Sequence, residues 1–227
     1  MCIRDRQYAN KIEHDAVVIG VLVENIQRNV LKNREWSDGD GQPLIVPKPW
    51  FELSSAGELV LRGVPVPLPH KMGSGTEEAN VGAVGRFSAI RKFVNLLGPD
   101  FKDMVQKLTR YQPYPEYNSA DNDGWKLMQA ILKRWIAESR SPVIVAVIPF
   151  YQYVEKTASY TNIRRRFDEF TASSGASVYH VIDELWAYPA EVRRSFRFRS
   201  DCHLTPLAHK VIGEALAKVL APVLGRS

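Results

Sequence analysis

Two residues near the carboxyl terminus, Asp201 and His203, have the types and the spacing of an acid–base pair. They stand two positions apart in a stretch predicted to be extended, so both side chains point the same way. A carboxylate beside an imidazole fixes the imidazole's tautomer and stabilises its protonated form, as a general base requires. The alternative is structural: Asp201 caps the helix that follows, and His203 is an ordinary surface residue.

A third polar residue, Asn25, follows an apolar run that ends at Val23. In open parallel sheets, ligands bind beyond the carboxyl ends of the strands. An amide NH₂ group in that position can donate to a developing oxyanion, a contribution of about 3 kcal/mol in acyl transfer. Asn is also common in turns for local reasons, so the alternative is that Asn25 only caps the turn after the strand.

Three apolar runs rich in Val and Ile predict the strands that position these residues. Each run is nearly continuous instead of alternating, which is typical of parallel strands buried on both faces. The runs are residues 17–23, 143–149 and 177–182. Amphipathic patterns predict helices at residues 123–139, 160–173 and 206–220. Alternating strands and helices predict an α/β fold with right-handed crossovers, a three-layer α/β/α sandwich around a parallel sheet.

A long stretch, residues 37–122, interrupts this alternation. Prolines in its first half predict a loop with short extended pieces at residues 50–53 and 59–62. Patterns at residues 86–97 and 101–108 predict two helices. We expect an insert of this length to be partly ordered and to act as a lid or a substrate wall. Aromatic residues in and beside it either stack on sugar rings or pack its own core. They are Trp36, Trp50, Phe51, Tyr111, Tyr114 and Tyr117.

Composition is that of an ordinary globular domain, with 45% hydrophobic and 24% charged residues in 227. The formal net charge of +5 permits contact with polyanions. Two arginine groups, at residues 164–166 and 193–199, are attributed to a solvated helix face and a loop, so no nucleic-acid partner is predicted. The chain lacks the run of ~18 apolar residues that a membrane span needs. Its five histidines lack metal-ligand spacing.

Taken together, these segments resemble the sequence blocks of the SGNH hydrolases, also called GDSL esterases and lipases. Residues 17–26 are similar to the block in which a strand leads to the oxyanion-hole Asn, although Ile26 stands where the family usually has Asp. Residues 201–209 are similar to the final block, which carries the catalytic Asp and His. Ala208-His209 replaces the common Gly-His pair, and the short Asp–His spacing matches a bacterial subset. The resemblance covers about two-thirds of the chain.

The resemblance implies a flavodoxin-like fold and Ser-His-Asp acyl transfer on acyl or O-acetyl esters, including esters of carbohydrates. In that mechanism His203 is the general base and then the general acid, Asp201 orients His203, and Asn25 is an oxyanion donor. Neither a metal nor an organic cofactor is implied.

The nucleophile that the resemblance requires is missing. The family's serine lies in a Gly-Asp-Ser motif after the first strand, and the 227 residues contain no such motif. Gly73-Ser74-Gly75 lacks a strand–turn–helix setting, and neither Ser54 nor Ser88 has a supporting motif.

The first six residues resemble translated sequencing adapter. We therefore expect the native domain to start at residue 7 as the later part of a longer gene, with its first strand or strands missing. The isolated chain is then expected to be inactive. On this expectation the sequence does not determine the compartment, which could be periplasmic, extracellular or cytoplasmic. It does not determine the oligomeric state either.

Two other kinds of function stay open at this point. A related α/β module that has lost its nucleophile would serve in binding or assembly. A flavodoxin-like domain that binds a nucleotide or phosphate would need a Gly- or Ser/Thr-rich loop between a strand and a helix. None of the three predicted strand ends has such a loop.

Overall fold

The computed structural model describes residues 12–71, 112–199, 201 and 203–225 of the chain. The helices predicted at residues 86–97 and 101–108 lie outside these described residues. The described residues have a mixed α/β fold, with a three-stranded parallel sheet and two small antiparallel sheets. The predicted α/β class is therefore confirmed.

The elements follow one another in an order that separates an antiparallel region from the parallel sheet. The strands are β1 (Val17–Leu22), β2 (Asn33–Ser37), β3 (Pro43–Pro47), β4 (Trp50–Leu53), β5 (Leu59–Arg62), β6 (His70–Lys71), β7 (Val143–Ile148) and β8 (Ser177–His180). The helices are α1 (Asn25–Val30), α2 (Asp123–Glu138), α3 (Tyr151–Val154), α4 (Thr161–Ser174), α5 (Ile182–Trp186), α6 (Ala190–Arg194) and α7 (Pro206–Val223), with a 3₁₀ turn at Pro115–Asn118. None of the helices in the described ranges is both long and apolar enough to cross a membrane.

The parallel sheet has the strand order β1-β7-β8. Val17 lies opposite Val143, and Ile144 lies opposite Ser177. The strands predicted at residues 17–23, 143–149 and 177–182 are confirmed, and each ends one or two residues earlier than predicted. Because all three strands are parallel, their carboxyl ends lie at the same edge of the sheet.

One face of this sheet carries the larger core cluster. Ile19 and Val21 of β1 and Val145 of β7 cluster there with the apolar sides of α2 and α4. Trp125 of α2 and Phe167 of α4 are fully buried, with their ring centroids 5.1 Å apart in an edge-to-face arrangement. The helices predicted at residues 123–139 and 160–173 are confirmed to within one residue at each end.

The other face of the sheet carries a second core cluster. Ala146, between the inward residues of β7, packs there with Ala208 and Val211 of α7. This helix starts at residue 206 as predicted and continues three residues past the predicted end. On β1, however, the residues of the same face, Val18 and Leu22, are exposed.

The antiparallel region covers residues 33–71 and lies mostly within the predicted insert. β3 pairs with β2 and β6, and β4 pairs with β5. The extended pieces predicted at residues 50–53 and 59–62 are confirmed as β4 and β5. Gly57 has a φ of +78° in the turn between these two strands, a conformation that costs glycine little. Both α1 and α2 contact β4, so this region packs beside the helices that follow β1 and precede β7.

Candidate functional site

Asp201 and His203 are joined by a short hydrogen bond. Oδ1 of Asp201 lies 2.6 Å from Nδ1 of His203 and also accepts from the backbone N–H of His203 at 3.3 Å. The carboxylate therefore favours a proton on Nδ1, which leaves Nε2 as an acceptor. The side chain of His203 is 77% exposed, so Nε2 is open to a substrate or a partner hydroxyl.

Of the two alternative roles considered for this pair, the structure contradicts one and agrees with the other. Thr205, not Asp201, is the N-cap residue of α7, so the idea that Asp201 caps the last helix is wrong. His203 does lie at the surface, as the alternative held. Exposure alone does not decide its role, because a residue that exchanges protons with a substrate also has to be reachable.

The pair lies in a closed loop, residues 196–205, immediately before α7. The backbone N–H of Phe198 donates to the carbonyl of His203 at 3.2 Å. The backbone N–H of Thr205 donates to the carbonyl of Phe196 at 2.9 Å. Phe196 is buried in the second core cluster, so the base of the loop is fixed to the sheet while its tip is exposed.

Arg197 ties this loop to the end of the central strand. Its Nε donates to Oε1 of Glu155 at 2.5 Å, and its Nη2 lies 3.5 Å from Oε2. Its guanidinium carbon also lies 4.5 Å from the ring centroid of Tyr151. Tyr151, the third residue after the end of β7, begins α3, and Glu155 directly follows α3. The loop is therefore held at the carboxyl edge of the sheet.

Asn25 lies at the same edge, beyond the carboxyl end of β1. It is the first residue of α1 and is half-buried, and Glu24 is the N-cap residue, with no side-chain cap bond. Asn25 is therefore not the N-cap residue of α1. Within the described residues, its amide hydrogen bonds with neither Asp201 nor His203, so the structure brings together two of the three predicted site residues.

The corner between β1 and α1 is fixed by residues from the 3₁₀ turn. The hydroxyl of Tyr117, fully buried, donates to the carbonyl of Val23 at 3.0 Å. Burial raises the pKa of Tyr117 well above its ordinary value, so it acts here as a neutral donor. Nε2 of Gln27 on α1 donates to Oε1 of Glu116 at 2.8 Å. The backbone at Asn25 is thus held from the side of the predicted insert.

Of the serines considered as nucleophiles, the structure describes only Ser54. The Ser54 hydroxyl accepts from the backbone N–H groups of Ala56 and Glu58, both at 3.2 Å, in the turn between β4 and β5. It is a turn residue. Ser88 and the segment Gly73-Ser74-Gly75 lie outside the described residues.

Sequence reasoning missed a second histidine–carboxylate pair at the end of β8. Nε2 of buried His180 lies 3.3 Å from Oδ1 of Asp168, and its Nδ1 lies 3.1 Å from the Tyr160 hydroxyl. Burial, followed by the nearby Arg164 cation, lowers the pKa of His180. Burial raises the pKa of Tyr160 well above its usual range. The signal in the sequence was a histidine closing an apolar strand, a position that alone does not separate a core residue from a catalytic one.

The two histidines differ in what they can do. Both ring nitrogens of His180 already face protein partners, and the ring is buried, so we interpret it as a structural residue of the core. His203 has one carboxylate partner on Nδ1 and an exposed ring. Of the two, His203 is the one whose ring is accessible from solvent.

Comparison with protein-family models, curated proteins and solved structures found no match. Within the part of the chain that the structure describes, no group of three or more His, Cys, Asp or Glu side chains could hold a metal ion. A functional assignment therefore depends on the residues at the carboxyl edge of the parallel sheet.

Proposed function

We propose that the chain is the histidine-bearing part of a serine ester hydrolase of the SGNH type. The observation that carries the proposal is the 2.6 Å bond between Asp201 and Nδ1 of an exposed His203, at the edge of the sheet where Asn25 also lies. The proposed substrates are acyl or O-acetyl esters, including esters of carbohydrates.

The proposed reaction is the Ser-His-Asp acyl transfer that the family resemblance implies. Nε2 of His203 takes the proton of a serine hydroxyl as its oxygen attacks the ester carbonyl. Asp201 keeps the ring oriented and stabilises the imidazolium that forms. The amide of Asn25 donates to the carbonyl oxygen as it becomes negative. His203 then protonates the leaving alcohol, and water repeats the cycle to release the acid and restore the serine.

The serine is proposed to come from a segment outside these 227 residues, and the open side of β1 supports this. Strands of parallel sheets are normally covered on both faces, yet Val18 is 37% and Leu22 39% exposed. Among the described strands, only β7 pairs with β1. A further parallel strand beside β1, with its helix over Val18 and Leu22, would complete a flavodoxin-like three-layer sandwich. Its carboxyl end would lie next to Asn25.

The test is to recover the coding sequence upstream of residue 7 and express the continuous reading frame. We expect a predicted strand followed by Gly-Asp-Ser, and hydrolysis of p-nitrophenyl acetate and acetylated xylan. His203→Ala and alanine at that serine should each lower kcat by about 10³-fold or more. A reading frame without such a motif, or a His203→Ala variant with full activity, would contradict the proposal.

The 227-residue chain alone provides a second check. It should show no esterase activity, because the proposed serine belongs to a segment outside it. Activity that His203→Ala abolishes would mean that a serine within the chain attacks the ester. An experimental structure with the Asn25 amide more than about 10 Å from the His203 ring would exclude their joint action on one carbonyl.

A further inference from the structure

We propose that the ion pair between Arg197 and Glu155 is the positioning element that holds His203 over the carboxyl edge of the sheet. Its catalytic consequence rests on the function proposed above. The positioning itself is a property of the 196–205 loop and can be measured without any catalysis.

Glu155 is a rigid point of attachment. Its side chain is only 3% exposed, and its backbone N–H donates to the carbonyl of Tyr151 at 2.9 Å. The two residues before it, Tyr153 and Val154, are buried, so the short segment after β7 has little freedom. A carboxylate this buried needs a cationic partner, because an unpaired charge in such a place is strongly unfavourable.

Arg197 meets this need with two contacts that a lysine cannot combine. Its planar guanidinium presents Nε and Nη2 to the two oxygens of Glu155. The same plane lies against the ring of Tyr151 at 4.5 Å. A lysine ammonium would keep the charge but would lose the paired donors and the stacking geometry. The direction of the side chain, and not only its charge, is therefore fixed.

The attachment reaches His203 through the backbone. Arg197 is bridged to Leu204, and the next residue, Phe198, donates its N–H to the carbonyl of His203. The side chains of Phe198 and His203 are exposed. The bond between Asp201 and His203 lies within the loop, so that bond orients the ring without attaching the loop to the sheet. Among the described contacts of the loop's exposed half, the Arg197–Glu155 pair is the charged link to the sheet.

Hydrogen exchange and ring relaxation in the 227-residue chain test the positioning. In Arg197→Met and Glu155→Gln, we expect the amide of Phe198 to exchange about tenfold faster or more, while amides of β7 stay protected. The His203 ring should gain motion on the same variants. Arg197→Lys should lie between these variants and the parent. Arg134→Met is the matched control, because Arg134 pairs with Glu138 on the solvent side of α2.

A variant with an unpaired buried charge could lose the whole fold, so the double variant Arg197→Met with Glu155→Gln is included. It removes both charges and should keep β7 protected while Phe198 still exchanges faster. The proposal is overturned if the Phe198 amide exchanges at an unchanged rate in Arg197→Met. It is also overturned if the double variant loses protection equally at Phe198 and in β7.

Kinetics on the complete reading frame separate this inference from the proposed function. Arg197→Met should lower kcat about tenfold or more and change KM less than about twofold, with partial recovery in Arg197→Lys. Loosening of the loop without any esterase activity in the parent would leave the positioning intact and reject the hydrolase. Full kcat in Arg197→Met, in an active parent, would reject the positioning alone.

Discussion

The hydroxyl of Tyr117 donates to the backbone carbonyl of Val23 at 3.0 Å, across 94 positions of sequence. The bond joins the end of the predicted insert to the corner where β1 passes into α1. Asn25 stands two residues beyond that carbonyl. The 3₁₀ turn at Pro115–Asn118, near the end of the predicted insert, therefore helps to shape the candidate site.

Removing this hydrogen bond should destabilise the fold without leaving a large cavity. Tyr117→Phe keeps the ring packing against Trp125 but leaves the buried carbonyl of Val23 without this donor. We expect the free energy of unfolding to fall by about 1–2 kcal/mol, measured by urea denaturation. Tyr188→Phe, at a partly exposed ring, is the control and should change it by less than about 0.5 kcal/mol. Equal effects would mean that the hydroxyl of Tyr117 contributes nothing specific.

The bond between Asp201 and His203 predicts the tautomer of the neutral imidazole. With Oδ1 of Asp201 at 2.6 Å from Nδ1, the proton should reside on Nδ1. Asp201→Ala should shift the proton to Nε2. Nitrogen-15 spectra of the histidine rings, taken at a pH where the imidazoles are neutral, distinguish the two forms. His209 on α7 is an internal reference and should not change. A ring of His203 that already carries its proton on Nε2 in the parent would contradict the role given to Asp201.

The parallel sheet could be predicted from the sequence because its information is local. Strands covered on both faces need continuous apolar runs, and the runs that begin at Val17, Val143 and Ser177 show this directly. β2 could not be found in this way. Its residues, Asn33–Ser37, are exposed throughout and follow no apolar pattern, so their strand conformation comes from pairing with β3.

The contacts that hold the candidate site in place could not be predicted either, because they join residues that are far apart in the sequence. The nearness of Asp201 and His203 follows from a spacing of two residues, and their side chains do hydrogen bond, while their catalytic roles stay a prediction. Arg197 was attributed to a loop, because its partner, Glu155, is 42 positions away. The arginines of α4 were predicted to lie on a solvated face, which is wrong for Arg166, only 5% exposed and paired with Glu169.

The depressed pKa of His180 predicts a loss of stability in mild acid. Burial and the Arg164 cation lower this pKa, while the carboxylates of Asp168 and Asp183 oppose the shift. The unfolded chain therefore binds a proton near pH 6.5, before the folded chain does. The contribution of His180 to the free energy of unfolding should be constant above that pH and fall as the pH drops below it, by less than about 1.4 kcal/mol per pH unit.

Urea denaturation at pH 7.5 and 5.5 measures this fall in stability. In His180→Gln, which cannot take up the proton, the difference between the two pH values should shrink. A parent whose stability is the same at both values, or a variant with an undiminished difference, would show that His180 does not govern the response.

Residues on the two faces of β1 should respond very differently to truncation, because the strand is covered on one face only. Ile19 is buried in the larger core cluster, so Ile19→Ala should cost about 3 kcal/mol of unfolding free energy in the 227-residue chain. Leu22 is 39% exposed on the other face, so Leu22→Ala should cost about 1 kcal/mol or less.

If a further strand and helix cover that face in the complete protein, Leu22→Ala should become markedly more costly there, while the cost of Ile19→Ala stays nearly constant. The comparison uses urea denaturation of the same two variants in both proteins. An unchanged cost at Leu22 would mean that this side of β1 stays open and that the proposed nucleophile-bearing segment packs elsewhere.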